Sequence, residues 1–189
     1  MRPAPAVSLL AACRIALCIL GLILTALPAL ALDSPLPKPM EHGQSELWGY
    51  ADASGAFIIA PEYLVAMPFL ESGIAAVATE EAWLWIDTQG NTLAQAFIHD
   101  NGPDDFSENR TRIIRDGKMG FMDETGSIVI EAAWDFAGPF SSGLAIVCSG
   151  CERVYSGEHY TMQNGEWGCI DHTGALAEPL TMEPPACSR

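Results

Sequence analysis

Leu47-Trp48-Gly49-Tyr50-Ala51-Asp52-Ala53-Ser54-Gly55 returns three times further along the chain, and that recurrence decides the fold. The later copies are Trp83-Leu84-Trp85-Ile86-Asp87-Thr88-Gln89-Gly90, Met119-Gly120-Phe121-Met122-Asp123-Glu124-Thr125-Gly126 and Trp167-Gly168-Cys169-Ile170-Asp171-His172-Thr173-Gly174. Their shared form is tryptophan, glycine, an aromatic or apolar residue, a free position, aspartate, two free positions and glycine. The aspartates are 35, 36 and 48 residues apart, and one insertion of about a dozen residues between Cys148 and Asn164 accounts for the longer interval. Self-similarity at such a period marks a repeat array.

A second segment follows the first three turns at a similar distance. It reads Met67-Pro68-Phe69-Leu70-Glu71-Ser72-Gly73-Ile74-Ala75-Ala76-Val77 in the first unit and Gly138-Pro139-Phe140-Ser141-Ser142-Gly143-Leu144-Ala145-Ile146-Val147 in the third. The second unit carries a worn copy from Asp105 to Ile114. Two signatures in one register are far harder to obtain by chance than one.

Together, W-G-Y-x-D-x-x-G-x-x-x-I-x-P-x-Y and F-x-x-G-L-A-x-V resemble the WG repeat of bacterial envelope and cytoplasmic proteins, over about residues 46 to 178. The resemblance implies a β-repeat fold and no particular activity, because the family has none in common. The second unit departs from the pattern at Leu84, where glycine is expected, and the fourth stops soon after Leu176. Irregular packing of unit two is the expectation.

Elementary chemistry supports the same fold. Aspartate, two residues and glycine suit a type I turn, in which the carboxylate bonds the backbone two residues on and glycine takes the left-handed conformation. Asp52 and Gly55, Asp87 and Gly90, Asp123 and Gly126, and Asp171 and Gly174 are the turn pairs, each joining two antiparallel strands. Ile74 to Ala78 and Leu144 to Cys148 read as third strands, and three short strands bury a face only against a neighbour. The expected fold is all-β, a tandem array of three to four hairpin or three-stranded units at about 46–80, 81–115, 116–151 and 164–180, with an insertion at 152–163. Pro61 is expected to interrupt the first unit, with short helical turns near Pro61-Glu62-Tyr63 or Glu131-Ala132-Ala133-Trp134. Residues 32–45 read as a proline-rich linker, and 181–189 as a tail.

Residues 1–31 differ in character and have the build of an export signal. Arg2 and Arg14 supply positive charge, Ile15 to Leu27 is an apolar run, Pro28 breaks it, and Ala29-Leu30-Ala31 offers a cleavage site after Ala31. An uncleaved anchor is the alternative. Leu10-Ala11-Ala12-Cys13 has the letters of a lipoprotein box but precedes the apolar core instead of following it. Residues after Ala31 hold all 24 acids and seven of the nine bases, a formal charge of −17. Such a field repels phosphate backbones and anionic headgroups, which excludes nucleic acid and membrane docking beyond the signal segment.

Chemistry-bearing motifs are few. No nucleophile elbow, zinc-protease helix or phosphate loop occurs, and His42, His99, His159 and His172 are scattered. The expectation is a non-catalytic protein without cofactor, binding an unknown protein or envelope component. Trp48, Trp83, Trp134 and Trp167 are read as inter-repeat core, and Trp85 as the better candidate for an exposed aromatic, with packing still its expected role. One aspartate per turn is too few ligands for calcium. Cys148, Cys151, Cys169 and Cys187 suggest two disulfides in an exported chain, with Cys148–Cys151 and Cys169–Cys187 preferred among three connectivities. The alternative is a metal-linked or redox accessory protein using Cys148 and Cys151, with Cys169 or His159 completing a zinc site. The insertion, with Arg153, Tyr155, His159 and Tyr160, is the expected partner surface.

Overall fold

The computed structural model describes residues 35–157 and 159–187. The expected signal at 1–31 and its cleavage site at Ala31 lie outside the described residues. Within them the chain is all-β, without a helix. Strands β1 (Lys38–His42), β2 (Leu47–Ala51) and β3 (Phe57–Tyr63) form an antiparallel sheet in that order. Next come β4 (Val65–Ala66), β5 (Ile74–Ala78), β6 (Trp83–Asp87), β7 (Thr92–Ala96), a small ribbon of β8 (Ile98–His99) and β9 (Gly102–Pro103), then β10 (Arg110–Arg115), β11 (Lys118–Asp123) and β12 (Ile128–Trp134). Seven of these make one sheet in the order β12-β11-β10-β7-β6-β5-β4. The chain ends with β13 (Phe136–Ala137), β14 (Leu144–Ser149), the ribbon β15 (Glu152–Ser156) and β16 (His159–Gln163), and β17 (Glu166–Asp171). Strands β13, β14 and β17 form a sheet in that order.

Residues 38–42, read as linker, are therefore an edge strand. Lys38 pairs with Ala51 and His42 with Leu47, and Pro39 is tolerated because an edge strand can leave one side unbonded.

The strand that ends each sequence repeat pairs with the opening strand of the next: β5 with β6, β10 with β11, β14 with β17. Each physical three-stranded layer thus straddles two sequence units, and no unit folds alone. The turns follow the expected chemistry. Gly55, Gly90, Gly126 and Gly174 donate to the carbonyls of Asp52, Asp87, Asp123 and Asp171 at 2.9–3.0 Å, and all four glycines have φ of +83° to +85°.

The glycine after the tryptophan has a different role. Trp48 pairs with Tyr63 and Tyr50 with Ile59, so Gly49 alone faces residues 60–62. Gly120 faces 131–133 in the same way, because Met119 pairs with Trp134 and Phe121 with Ile130. The bulged backbone folds down onto the glycine. A Cβ on Gly49 would lie 2.8 Å from the Pro61 nitrogen, and one on Gly120 would lie 2.7 Å from the Ala132 nitrogen. This bulge carries β3 through Pro61 and β12 through Glu131 to Trp134 as strand, where interruption and helical turns were expected. In unit two, Leu84 and Trp85 pair consecutively with Gln95 and Ala94. Without a glycine no bulge forms opposite Leu84, the register shift of this pair falling between Trp85 and Ile86, and β7 bonds β10 at Ala96 and Gln95. Unit two thus lacks the glycine bulge of units one and three, and its own irregularity lies later, in the β8–β9 ribbon and the left-handed residues Asp100, Asn101, Glu108 and Asn109.

Alternate residues of each layer face opposite neighbours. Ala75, Val77 and Ile86 join Tyr50, Ile59 and Tyr63, while Ile74, Ala76 and Trp85 join Ala94, Ala96, Ile113 and Met122. A third cluster sets Met119, Phe121 and Ile130 against Ala145, Val147 and Ile170. Trp48, Trp83 and Trp134 pack half-buried at the margins of these three clusters, and Trp167 is buried in a fourth with Cys148 and Cys151.

The phenylalanine before each F-x-x-G loop stacks on the residue two before the turn aspartate. Tyr50 meets Phe69 at 4.5 Å, Trp85 meets Phe106 at 5.3 Å and Phe121 meets Phe140 at 4.8 Å between ring centroids. Trp85 is accordingly 5% exposed, a packing residue as expected and not the more exposed aromatic. In unit four that position is Cys169, and its disulfide to Cys187 replaces the aromatic pair. The tail is held further by paired bonds between Trp167 and Thr181 (2.6 and 2.7 Å) and from the Ala177 N–H to the Cys169 carbonyl (2.8 Å).

Candidate functional site

The insertion Glu152 to Gln163 folds as the β15–β16 ribbon, a two-stranded sheet of its own. Its sequence explains the form. Val154, Tyr155, Tyr160 and Thr161 favour strand, and Gly157, with φ +67°, opens the two-residue connection between the paired Ser156 and His159. The register sets Tyr155 opposite Tyr160 and Arg153 opposite Met162. By alternation, Arg153, Tyr155, Tyr160 and Met162 share one face. Glu152, Val154, Ser156, His159, Thr161 and Gln163 share the other.

An isolated two-stranded ribbon is marginal in water, and here its base is anchored. A disulfide joins Cys148 to Cys151, Trp167 Nε1 donates to the Asn164 carbonyl at 2.9 Å, and the Gly150 N–H donates to Asp135 at 2.7 Å. Lys118 reaches the other Asp135 oxygen from β11. Met162 packs on Cys148, Cys151 and Trp167, so the aromatic face of the ribbon runs into a small core. Above it, the Arg153 guanidinium lies 4.4 Å from the Tyr160 ring centroid, and the two tyrosine rings are 5.9 Å apart. Tyr155 is 64% exposed and Tyr160 36%. The result is an amphipathic face with one arginine over two tyrosines on an otherwise acidic chain.

The metal-linked alternative is corrected by the sulfur pairing. Cys148 and Cys151 are bonded to each other and Cys169 to Cys187, which leaves His159, on the exposed ribbon, with no thiolate partner among them. No group of three or more histidine, cysteine, aspartate or glutamate side chains converges as metal ligands among the described residues. The turn aspartates face their own backbone: Asp52 Oδ1 accepts from the N–H groups of Ser54 and Ala56 at 2.8 and 3.1 Å, and Asp171 Oδ1 from those of Thr173 and Ala175 at 2.8 and 3.2 Å. The histidines serve separate places. His42 contacts Ser45, His99 lies beside Asp100, and His172 meets Glu108 at 2.9 Å and stacks on Phe140.

Asp135 titrates the base of the ribbon. The Lys118 ammonium holds its carboxyl below the usual carboxylate range, with the Gly150 N–H adding to this against partial burial. A lowered folded value means that the stabilisation is complete above the ordinary carboxylate pKa of about 3.9 and is lost as pH falls through the folded value. The ribbon base is therefore expected to loosen below about pH 4, read from Trp167 fluorescence. Asp135→Asn should remove that acid step, leaving the separate acid response of Asp52, Asp87 and Asp123, which their turn hydrogen bonds also lower. An unchanged Trp167 titration in Asp135→Asn would assign the step elsewhere.

One buried charge pair was not read from the sequence. Asp104 and Arg112, 7% and 5% exposed, form a bidentate pair with Arg112 Nε and Nη2 at 2.7 and 2.6 Å from the two carboxylate oxygens. Arg112 also donates to the Ala137 carbonyl at 3.2 Å and lies over Phe97 at 4.3 Å. It ties the loop of unit two to the end of unit three and faces no open site.

Comparison with known proteins gives one family. The WG containing repeat matches residues 48–83 and 119–150, the first hairpin through the start of β6 and the third unit through the Cys148-Ser149-Gly150 turn. No match among curated proteins was found.

Proposed function

The chain is a WG repeat-containing protein, and we propose that it is an exported, non-catalytic binding or scaffold module of the cell envelope that presents the β15–β16 ribbon to a protein partner. The observation that carries this reading is the ribbon itself: its residues are exposed along both strands except Met162 at the root, yet its base is fixed by a disulfide and an ion pair. A surface with no part in the repeat core, built from a stacked arginine and two tyrosines, matches the residue types that dominate binding hot spots. Two disulfides favour an oxidising compartment, and no helix among the described residues is long and apolar enough to cross a membrane. The non-catalytic reading draws on the turn aspartates and His172 being engaged in structural bonds.

The test has two arms. A photo-reactive residue at Tyr155 should cross-link one partner in the intact envelope, and replacing 152–163 by a short turn should abolish capture while leaving the unfolding midpoint of the array almost unchanged. Tyr155→Ala with Tyr160→Ala should weaken the purified complex by tenfold or more, the scale of a hot-spot loss of about 2 kcal/mol. Capture that survives deletion of the ribbon would remove the proposal. Export is read from intact mass: the expected product is residues 32–189, gaining about 4 Da on reduction of two bridges. A mass that retains residues 1–31 would indicate the uncleaved anchor instead.

A further inference from the structure

The turn glycines are also where neighbouring units touch. A Cβ on Gly90 would meet Ile59 at 3.2 Å, one on Gly126 would meet Leu93 at 2.7 Å, and one on Gly174 would meet Ile130 at 3.2 Å. Ile59, Leu93 and Ile130 each come from the second strand of the preceding hairpin, six or seven residues after its aspartate. Each glycine is thus a seat for a branched aliphatic side chain of the unit before. Gly55 has the same conformation, φ +84°, but among the described residues nothing lies within 4 Å of its Cβ position. Its seat opens into a largely apolar groove of about 360 Å³ lined by Leu36, Pro39, Met40 and Gly55, with Lys38 and Asp52 at its sides.

The other end of the array is finished differently. Seven residues after Asp171 stands Glu178, in place of the branched aliphatic residue. Leu180 and Leu176 cover Gly168, at 2.8 and 3.0 Å from its Cβ position, and the Cys169–Cys187 bridge fixes the tail over β17. A repeat array needs a polar or covered face at each end. The C-terminal end has one, and the Gly55 end exposes an apolar seat.

We propose that the Gly55 end docks an extended segment of another chain that presents a branched aliphatic side chain, as Ile59 does to Gly90. The interface inside the array defines the chemistry: a strand laid across the turn, with isoleucine or leucine over the glycine. A second copy does not supply this through its C-terminal end, where Glu178 stands in place of the branched aliphatic residue. The site is independent of the ribbon and would give the protein two separate contacts.

The probe is a synthetic peptide with the sequence of residues 126–133, which carries the Ile130 donor, titrated into the full chain with NMR detection. Saturable shifts confined to Leu36, Met40, Ala53 and Gly55 are expected, with a dissociation constant of about 1 mM or tighter. A peptide with aspartate in place of isoleucine at the position of Ile130 should bind at least tenfold more weakly, and Met40→Glu should abolish the shifts without lowering the unfolding midpoint. Absent or non-saturating shifts, or equal binding by the aspartate peptide, would overturn the proposal. So would protection of Met40 from peroxide in the free chain, which would mean that this chain covers its own seat.

Discussion

Gly120→Ala is expected to destabilise the array by about 3 kcal/mol, at the upper end of what overpacking costs. The reason is geometric. A methyl group at this position meets the Ala132 nitrogen at 2.7 Å and its Cα at 2.9 Å, and both belong to backbone that the bulge holds in place. No rotamer change relieves it, and opening the bulge would break the register that seats Phe121 and Ile130 in the core. Gly49→Ala should cost nearly as much, since the Pro61 nitrogen and the Ala60 carbonyl carbon lie at 2.8 and 2.9 Å. Gly55→Ala is the control. It has open space and only the left-handed backbone to oppose it, a cost of about 1 kcal/mol. Urea unfolding of the three variants checks the order. An alanine at position 120 costing no more than one at 55 would show that the backbone yields, and the account of the motif's glycine would be wrong.

That glycine illustrates what the sequence could and could not tell. Its recurrence at 49, 120 and 168 was visible, and so was its replacement by Leu84, but periodicity does not say that the partner strand doubles over it. Leu84 marked a real departure, but not its form: the bulge over the motif's glycine is missing there, and β7 pairs with β10 instead. Trp85 was set apart for a related reason. Counted from Trp83 it looks supernumerary, but counted back from Asp87 it falls in the position of Tyr50 and Phe121, the buried member of each aromatic pair. The same count places Cys169 at the core position of unit four, where its bond to Cys187 does what a phenylalanine does elsewhere. The aspartate turns were legible because their chemistry is local. The third strand of each unit was visible as a strand, but its partner, the next unit's opening strand, depends on register between segments distant in the chain. The ribbon was legible as an insertion through one long interval. Its anchoring by Asp135 and Lys118 was not, because those residues reach it from the bend between β12 and β13 and from β11.

Asp104 and Arg112 were the least legible, and their separation is expected to have the largest effect of any side-chain truncation. Asp104→Ala removes both oxygens from a guanidinium that is 5% exposed and leaves it with only the Ala137 carbonyl and the face of Phe97. Stranding a buried charge in this way costs about 3–5 kcal/mol. Arg112→Met should also destabilise, because it leaves the Asp104 carboxylate, 7% exposed, without its guanidinium partner, although methionine fills the space beside Phe97. The double variant Asp104→Leu with Arg112→Met is expected to recover most of the loss, since a buried pair replaced by apolar groups of similar size is often neutral. The exposed pair Arg115–Glu131, with side chains 49% and 77% accessible, sets the scale from the other side: its removal should change stability by less than about 1 kcal/mol and should fade with salt. Chemical unfolding of the two singles and the double yields a coupling energy, and its sign carries the argument. A double variant as unstable as Asp104→Ala would mean that the pair fixes the loop between β9 and β10 through its geometry. A double variant near the wild type would mean that the loop is held by Phe97 and Phe106, with the ions only satisfying each other.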